Sequence, residues 1–500
     1  MELKYIFKKV YEVSKSQGVE VYAVGGFVRD SLLNDQRATI NEQKKDIDFV
    51  VVGSGLEFAR AFDEAASRTG SLVEFPDFDT ARYVIKIQNS KFKTQNENLK
   101  LKTDEYQGVI ELEFAGARSE KYDENSRKPK VEATSLDEDL KRRDFTVNAM
   151  AQKVGAMGLS KKIIDPFGGQ EDLNKKIIKT PLDSDITFSE DPLRMMRAAR
   201  FASQLDFEIE PATLKALFDN RKRLKIISAE RICEELFKLL GTKKPSVGLW
   251  ILYNTQLLDE FLPEVSQLYG VEEVYGIGHK NNLNHTFRVV DNVAERSKKV
   301  VLRFAALMHD IGKPGTKEFV KGRGWAFDMH EHLGRKIVRQ IAKRLRMSKD
   351  DTEYIAKLVR WHQQPIALMD EGVTDSPVRR LIVNLQDNLD DLLILCRSDI
   401  TTGNPQKLEK RLKNYDYLEK RIAEVIEKDK LRAFQSPVRG EEIMKECGLK
   451  PGPTVGKIKK ALEDAILDGK ISNEHDATHE YFLSIKDDFM ESVGEWERVS

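Results

Sequence analysis

The sequence predicts an α+β protein, a small mixed-sheet head followed by a mostly α-helical chain. Short apolar or β-branched runs, each stopped by glycine or polar residues, are confined to residues 1–158. From about Lys161 onward the apolar residues recur at i, i+3 and i+4, the period of a helix face. The 500 residues carry 40% hydrophobic side chains, with 82 basic groups balanced by 82 acidic ones. That balance excludes a wholly disordered chain, which needs low hydrophobicity with high net charge. It also excludes a polybasic nucleic-acid coat and leaves only local patches for such a partner.

In chain order, residues 21–24 read as a short strand ended by Gly25-Gly26. Residues 27–33 read as a helix, with Val28 and Leu32 four apart. The β-branched run 46–52 stops at Gly53, and 82–87 and 109–114 read as further strands. Residues 89–106 are polar and read as an exposed loop or insertion. Residues 190–205 and 229–240 have helical apolar spacing, and six of the eight histidines lie between His279 and His362. A charged helix is expected over 402–432, then a small separate segment after Gln435-Ser436-Pro437. The expected division is a head (1–158), a helical neck (159–275), a histidine-rich domain (276–400) and a helical tail (401–500). Cys233, Cys396 and Cys447 lie far apart without CxxC spacing, which suits a reducing compartment. No signal-peptide core or run of about eighteen apolar residues is present, so a cytoplasmic protein with no membrane partner is expected. The oligomeric state is left open.

The sharpest local feature is Gly25-Gly26-x-x-Arg29-Asp30, with Asp46-Ile47-Asp48 beginning twenty residues after the second glycine. Alternation along a strand puts Asp46 and Asp48 on one face, about 7 Å apart at Cα, and Ile47 and Phe49 on the other. Such a carboxylate pair suits two divalent ions, which activate an attacking oxygen and stabilise a leaving one. Magnesium, with its preference for oxygen ligands and substrate phosphate, fits best. Bare backbone at the glycines suits a triphosphate, and Arg29 one turn on would add a planar fork.

These residues resemble the head motif of class II tRNA nucleotidyltransferases, within the polymerase-β superfamily. Four further segments match in order: Glu113-Phe114-Ala115-Gly116-Ala117-Arg118, Arg142-Arg143-Asp144-Phe145-Thr146-Val147-Asn148-Ala149-Met150, Asp165-Pro166-Phe167-Gly168-Gly169 and Glu190-Asp191-Pro192-Leu193-Arg194-x-x-Arg197-x-x-Arg200. The resemblance implies Asp46 and Asp48 as catalytic magnesium ligands, with Glu113 as third carboxylate. Glu111 lies on the same strand face and stays an alternative. It further implies that Gly25, Gly26, Arg29, Arg143, Asp191, Arg194, Arg197 and Arg200 bind the nucleotide. Asp191 and Arg194, three apart on an expected helix, would template cytosine and adenine by hydrogen bonds to their Watson–Crick edges.

His285, His309-Asp310 and Asp399 are similar in order to the HD phosphohydrolase superfamily. That likeness implies a divalent metal in the second domain, with His330 and His362 completing a second position. His309-Asp310 is expected inside an apolar helix, and His332, His475 and His479 are read as surface residues. Arg221 and Arg223 lie in a basic run, and the Gly452-Pro453 tail resembles the tRNA-elbow segment of bacterial relatives. Arg221, Arg223, Lys457 and Lys459 are therefore expected on RNA phosphates. The function implied is addition of CMP and AMP from CTP and ATP to the tRNA 3′ end. The alternatives are a poly(A) polymerase, a CC- or A-adding specialist with a different flexible loop near 74–80, or chiefly an HD phosphohydrolase with an RNA-binding head.

Overall fold

The computed structural model describes residues 3–33, 44–88, 106–121, 130–275, 277–278, 281–369, 373–429, 436–491 and 493–498. The reading of 89–105 as a loop lies outside these residues, as does His279. The chain divides into two compact units, Met1–Pro263 and Glu264–Ser500.

The first unit opens on helix Leu3–Gln17 and builds β1 (Glu20–Val24), β2 (Lys44–Val52), β3 (Ser71–Phe75), β4 (Thr80–Gln88) and β5 (Tyr106–Gly116). A short ribbon follows, β6 (Arg118–Lys121) with β7 (Lys130–Ala133), then β8 (Ala151–Gly155) and β9 (Gly158–Ile164). Seven strands form one mixed sheet in the order β3-β4-β5-β2-β1-β8-β9, in which only β2 and β5 run parallel. Alternation on β2 buries Ile47, Phe49 and Val51 against helices Leu3–Gln17 and Gly55–Ala65. There Phe49 stacks on Phe114 at 5.2 Å, with Phe58 and Phe62 tilted against the same ring. Each fully buried ring of this kind contributes about 1.5–3 kcal/mol. The opposite face of β2 therefore carries Asp46 and Asp48 outward.

The segment 74–80 is not a free loop. Pro76–Phe78 is a 3-10 turn, and Asp79 adopts the left-handed conformation at φ 42°. Its carboxylate accepts from Ser54 Oγ (2.8 Å) and from the Gly55 and Leu56 amides, capping helix Gly55–Ala65. These caps satisfy donors that the helix start leaves unpaired, and so they fix the turn.

Apart from the parallel ribbon of Ile177–Ile178 with Glu208–Ile209 the rest of the first unit is helical, and the helix expected over 190–205 starts only at Leu193. Helix Ser184–Glu190 ends before Asp191, which is extended (φ −133°, ψ 97°), and Leu193–Leu205 starts after Pro192. A residue preceding proline is sterically kept out of the helical region, which breaks the periodic run here. In the second unit, helices Asn282–Arg296, Val300–Met308, His330–Arg344, Lys349–Trp361 and Leu389–Ser398 surround the histidine cluster. Helix Pro405–Asp429 leads to the tail helices Gly440–Cys447, Pro453–Leu467 and His475–Met490. Among the described residues no helix is long and apolar enough to cross a membrane.

Candidate functional site

The parallel register of β2 on β5 sets Asp46 beside Glu111 and Asp48 beside Glu113. Asp48 faces solvent on one side and protein on the others. Burial, then Glu113, then Asp46 push its carboxyl up to about 6, with Arg143 opposing. Glu113 is balanced in part by Arg82 at 3.6 Å. Crowded carboxylates whose mutual repulsion raises a pKa form a cation-seeking, all-oxygen donor set, which fits a hard divalent ion. Glu113 stands in register with Asp48 and acts on its carboxyl more strongly than Asp46 does.

Gly25, at φ 68°, lies directly over this set. A Cβ there would stand 3.2 Å from Arg143 Nη1 and 3.3 Å from Asp48 Oδ2. Glycine thus answers both a left-handed backbone and a close approach. Arg143 is aimed by Asp139, whose buried carboxylate accepts from Arg143 at 3.1 Å and from Arg142 at 2.7 Å. Burial would raise Asp139, but the two guanidinium groups hold it below the usual range.

Beyond Arg143 a cavity of about 230 Å³ is lined by Arg142, Arg143, Asp144, Asp191, Arg194, Arg197 and Arg231. Asp191 precedes its helix instead of lying on it. One carboxylate oxygen accepts from the Leu193 amide (3.1 Å) and the other faces Arg231 at 3.7 Å. Asp191 and Arg194 are therefore not on one helix as expected, though both line the cavity. Arg194 donates to the Arg142 carbonyl (2.5 Å), the Thr187 carbonyl (3.3 Å) and Glu190 (3.3 Å). Arg231, from helix Ala229–Leu240, was not singled out in the sequence because nothing in a periodic charged helix marks one arginine above the others.

Two arginines expected on the nucleotide have other partners. Arg29 is buried, donates to Asp30 (2.7 Å) and Asn148 (2.8 Å), and does not line the cavity. Arg200 pairs with buried Glu235 and with Gln204 (2.8 Å). Arg197 does line the cavity, though both donors it turns inward go to Asp144 (2.8 and 2.6 Å). All three guanidinium groups stand around the Phe201 ring, at 5.2, 5.4 and 4.0 Å. A ring face attracts cations, and Arg29, from helix Gly26–Leu32, thereby joins the head to helix Leu193–Leu205, which carries the other two arginines and the ring.

Of the expected RNA contacts, Arg221 donates to the Phe218 carbonyl (2.6 Å) and Arg223 to that of Ser189 (2.8 Å), both on the 3-10 turn Arg221–Ile226. Lys457 and Lys459 are exposed on helix Pro453–Leu467, with Glu463 3.8 Å from Lys459. His475 and His479 lie against Glu442 at the surface, and His332 lies near Glu331.

In the second unit two groups of ligand-type atoms converge, His285/His309/Asp399 and Asp310/His330/His362. Asp310 lies between them. Its Oδ2 stands 3.3 Å from His309 and 3.5 Å from His285, and its Oδ1 3.4 Å from His330 and 3.7 Å from His362. His309 and Asp310 are not inside a helix; His309 caps Val300–Met308 and Asp310 follows in the turn. Carbonyls in the last turn of a helix lack internal partners. Those of Ala306 and Val359 accept from Nδ1 of His309 and His362, and Phe327 does so for His330, all at 2.7 Å. Every Nε2 is thereby turned to the centre. Burial favours neutral His309, yet Asp310 and Asp399 outweigh it and push the ring up to about 10. Burial would raise both carboxylates, but His285 and His309 hold Asp399, and His309, Lys313 and His330 hold Asp310, well below the usual range. A mixed imidazole and carboxylate set of this kind fits a divalent metal.

The fold and these sites define a nucleotidyltransferase of the polymerase-β superfamily that carries an HD domain. Residues 21–179 match the family described as "Poly A polymerase head domain", 206–268 "Probable RNA and SrmB- binding site of polymerase A", and 282–392 "HD domain". The chain is 32% identical over 353 residues to the A-adding tRNA nucleotidyltransferase of Deinococcus radiodurans, covering 69% of this chain and 78% of that one. It is 34% identical over 354 residues to the CC-adding tRNA nucleotidyltransferase of Thermus thermophilus, covering 68% and 76%. The chain belongs to the tRNA nucleotidyltransferase family. It shares its fold with the Bacillus stearothermophilus CCA-adding enzyme solved in complex with CTP, at TM-score 0.61 and 22% identity over 99% of this chain and 100% of that one.

Proposed function

We propose that this protein adds CMP and AMP from CTP and ATP to the 3′ end of tRNA, completing CCA in the cytoplasm. The observation that carries this reading is the in-register set Asp46, Asp48 and Glu113 beneath Gly25, with Arg143 leading from it to the Asp191 cavity. Residues 1–158 supply the chemistry, 159–275 the template, and 401–500 contacts to RNA through Lys457 and Lys459, joined by Arg221 and Arg223 of the neck. Magnesium bound at the three carboxylates supplies charge neutralisation and activation of the attacking 3′-hydroxyl. Arg143, held by Asp139, orients the triphosphate, and Gly25 lets it approach. Asp191 accepts from the exocyclic amino group that cytosine and adenine share. Uracil and guanine present a carbonyl at that position, which a carboxylate repels.

The test is to supply tRNA ending before CCA with each nucleotide alone and together, then sequence the 3′ ends. A CCA end supports the reading. A stop after CC, addition of A only to CC-ended tRNA, or a long A tract replaces it with the corresponding specialist or a poly(A) polymerase. For the template role, Asp191→Ala is expected to lower CTP/UTP and ATP/GTP discrimination in kcat/KM by roughly 10–100-fold. Unchanged ratios in that variant sink the role. Because protons compete for Asp48 below pH about 6, the magnesium concentration giving half-maximal addition is expected to rise as the pH falls from 7.5 to 5.5. A pH-independent magnesium titration contradicts this.

A second reading rests on the paired clusters around Asp310, which support metal-dependent hydrolysis of a phosphate ester in the second unit. His309→Ala is expected to remove that hydrolysis while CMP addition continues.

A further inference from the structure

The four histidines of the paired clusters are not held alike. A carbonyl oxygen can only accept, so the bonds from Ala306, Phe327 and Val359 require a proton on Nδ1 of His309, His330 and His362. In those three rings the hydrogen-bond partner has one possible role. His285 is different. Its Nδ1 lies 2.8 Å from the hydroxyl of Thr401, a group that both donates and accepts. Its Nε2 lies 2.8 Å from Asp399.

At Nδ1, therefore, the surroundings accommodate either tautomer of His285. With the proton on Nε2, the ring donates to Asp399 while the Thr401 hydroxyl donates to Nδ1. With the proton on Nδ1, the ring donates to Thr401 and presents a bare Nε2 between His309 and Asp399. Only the second form ligates a metal. The Thr401 hydroxyl turns to suit either form; in the second, Nε2 and the Asp399 carboxylate face each other as two acceptors 2.8 Å apart, an arrangement that calls for a cation between them.

We propose that Thr401 is the positioning residue of the His285/His309/Asp399 metal position, admitting the His285 tautomer that binds an ion there. The inference rests on the reading of this unit as a two-ion site. The position built on Asp310, His330 and His362 has its tautomers set by carbonyls alone, so Thr401 acts on one position and not on the other.

The test is equilibrium dialysis against Mn2+ on the full chain carrying Asp46→Asn and Asp48→Asn, which silence the head. The parent is expected to take two ions per chain. Thr401→Val, similar in shape but without the hydroxyl, is expected to weaken one of them by about 10–100-fold and leave the other unchanged. Thr401→Ser is expected to restore it. With His285→Ala already present, Thr401→Val should change no Mn2+ affinity; with His362→Ala present, it should weaken the ion that remains. Two undiminished ions in Thr401→Val, failure of serine to restore, or equal weakening of both positions overturns the proposal. A parent that binds fewer than two ions overturns the two-ion reading itself, an outcome seen before any Thr401 variant is made.

Discussion

Asp48→Asn is expected to lower CMP and AMP addition by at least about a thousandfold, with tRNA affinity kept within about twofold. Asparagine preserves volume and one oxygen but removes the charge at the centre of the β2–β5 carboxylate set. In phosphoryl-type transfer most of the rate comes from fixed charge and alignment at the reacting oxygens, so the loss falls on turnover. RNA contacts proposed at Arg221, Arg223, Lys457 and Lys459 are untouched. The variant should also melt no lower than the parent when divalent ions are absent. A carboxyl pushed up to about 6 is one whose charge the metal-free protein disfavours, and asparagine removes that charge. Single-turnover incorporation on tRNA ending before CCA, paired with a mobility-shift titration, measures both parts. Turnover near the parent's removes Asp48 from the chemistry.

Asp144→Ala is expected to lower the melting temperature of the first unit by about 10 °C. Asp144 is buried, with one oxygen held by the Phe145 amide (2.9 Å) and Asn148 (3.0 Å), and the other by Arg197 (2.8 and 2.6 Å). Asn148 in turn accepts from Arg29. Removing one partner of a buried pair strands the other, at about 3–5 kcal/mol, and for a unit of this size each kcal/mol shifts the midpoint by about 2–4 °C. Burial alone would raise the Asp144 carboxyl, but Arg197 and Asn148 bring it down to about 2. Its folded pKa lies below the unfolded value near 4, so its stabilisation, about 2–3 kcal/mol, is complete above pH 4 and fades as the pH falls toward 2. Thermal melts of parent and variant should therefore converge between pH 4 and pH 2. A constant gap across that range would assign the effect to packing alone.

The sheet was legible where local pattern decides structure. Alternation along β2 separates Ile47 and Phe49 from Asp46 and Asp48, and a short-range rule of period two needs no knowledge of the rest of the chain. Glycine pairs and β-branched runs marked the strand ends for the same reason. The Asp191 break was legible in principle, since Pro192 carries the signal, but the apolar period on both sides masked it. What stayed hidden is partner choice among like residues. Arg29, Arg197 and Arg200 share a ring because a strand-end helix and a neck helix meet at Phe201, and that meeting is a tertiary fact. Arg231 and Thr401 were invisible likewise: an arginine in a charged helix and a threonine after an aspartate carry no pattern. The histidine cluster was readable as a set but not in its wiring, because the carbonyls that orient three of its rings belong to two helix ends and to the residue after a short strand.

The pairing of β2 with β5 gives the head a parity. A slip of β2 by one residue against β5 would turn both aspartates into the aromatic core and bring Ile47 and Phe49 to the surface, destroying fold and chemistry together. A slip by two would keep every side chain on its proper face and slide the carboxylates by about 7 Å, out of register with Glu113 and away from Gly25. The first error yields a chain that cannot be purified and the second a folded, inert one. Length changes confined to residues 89–105, between β4 and β5, leave the counting within both strands intact.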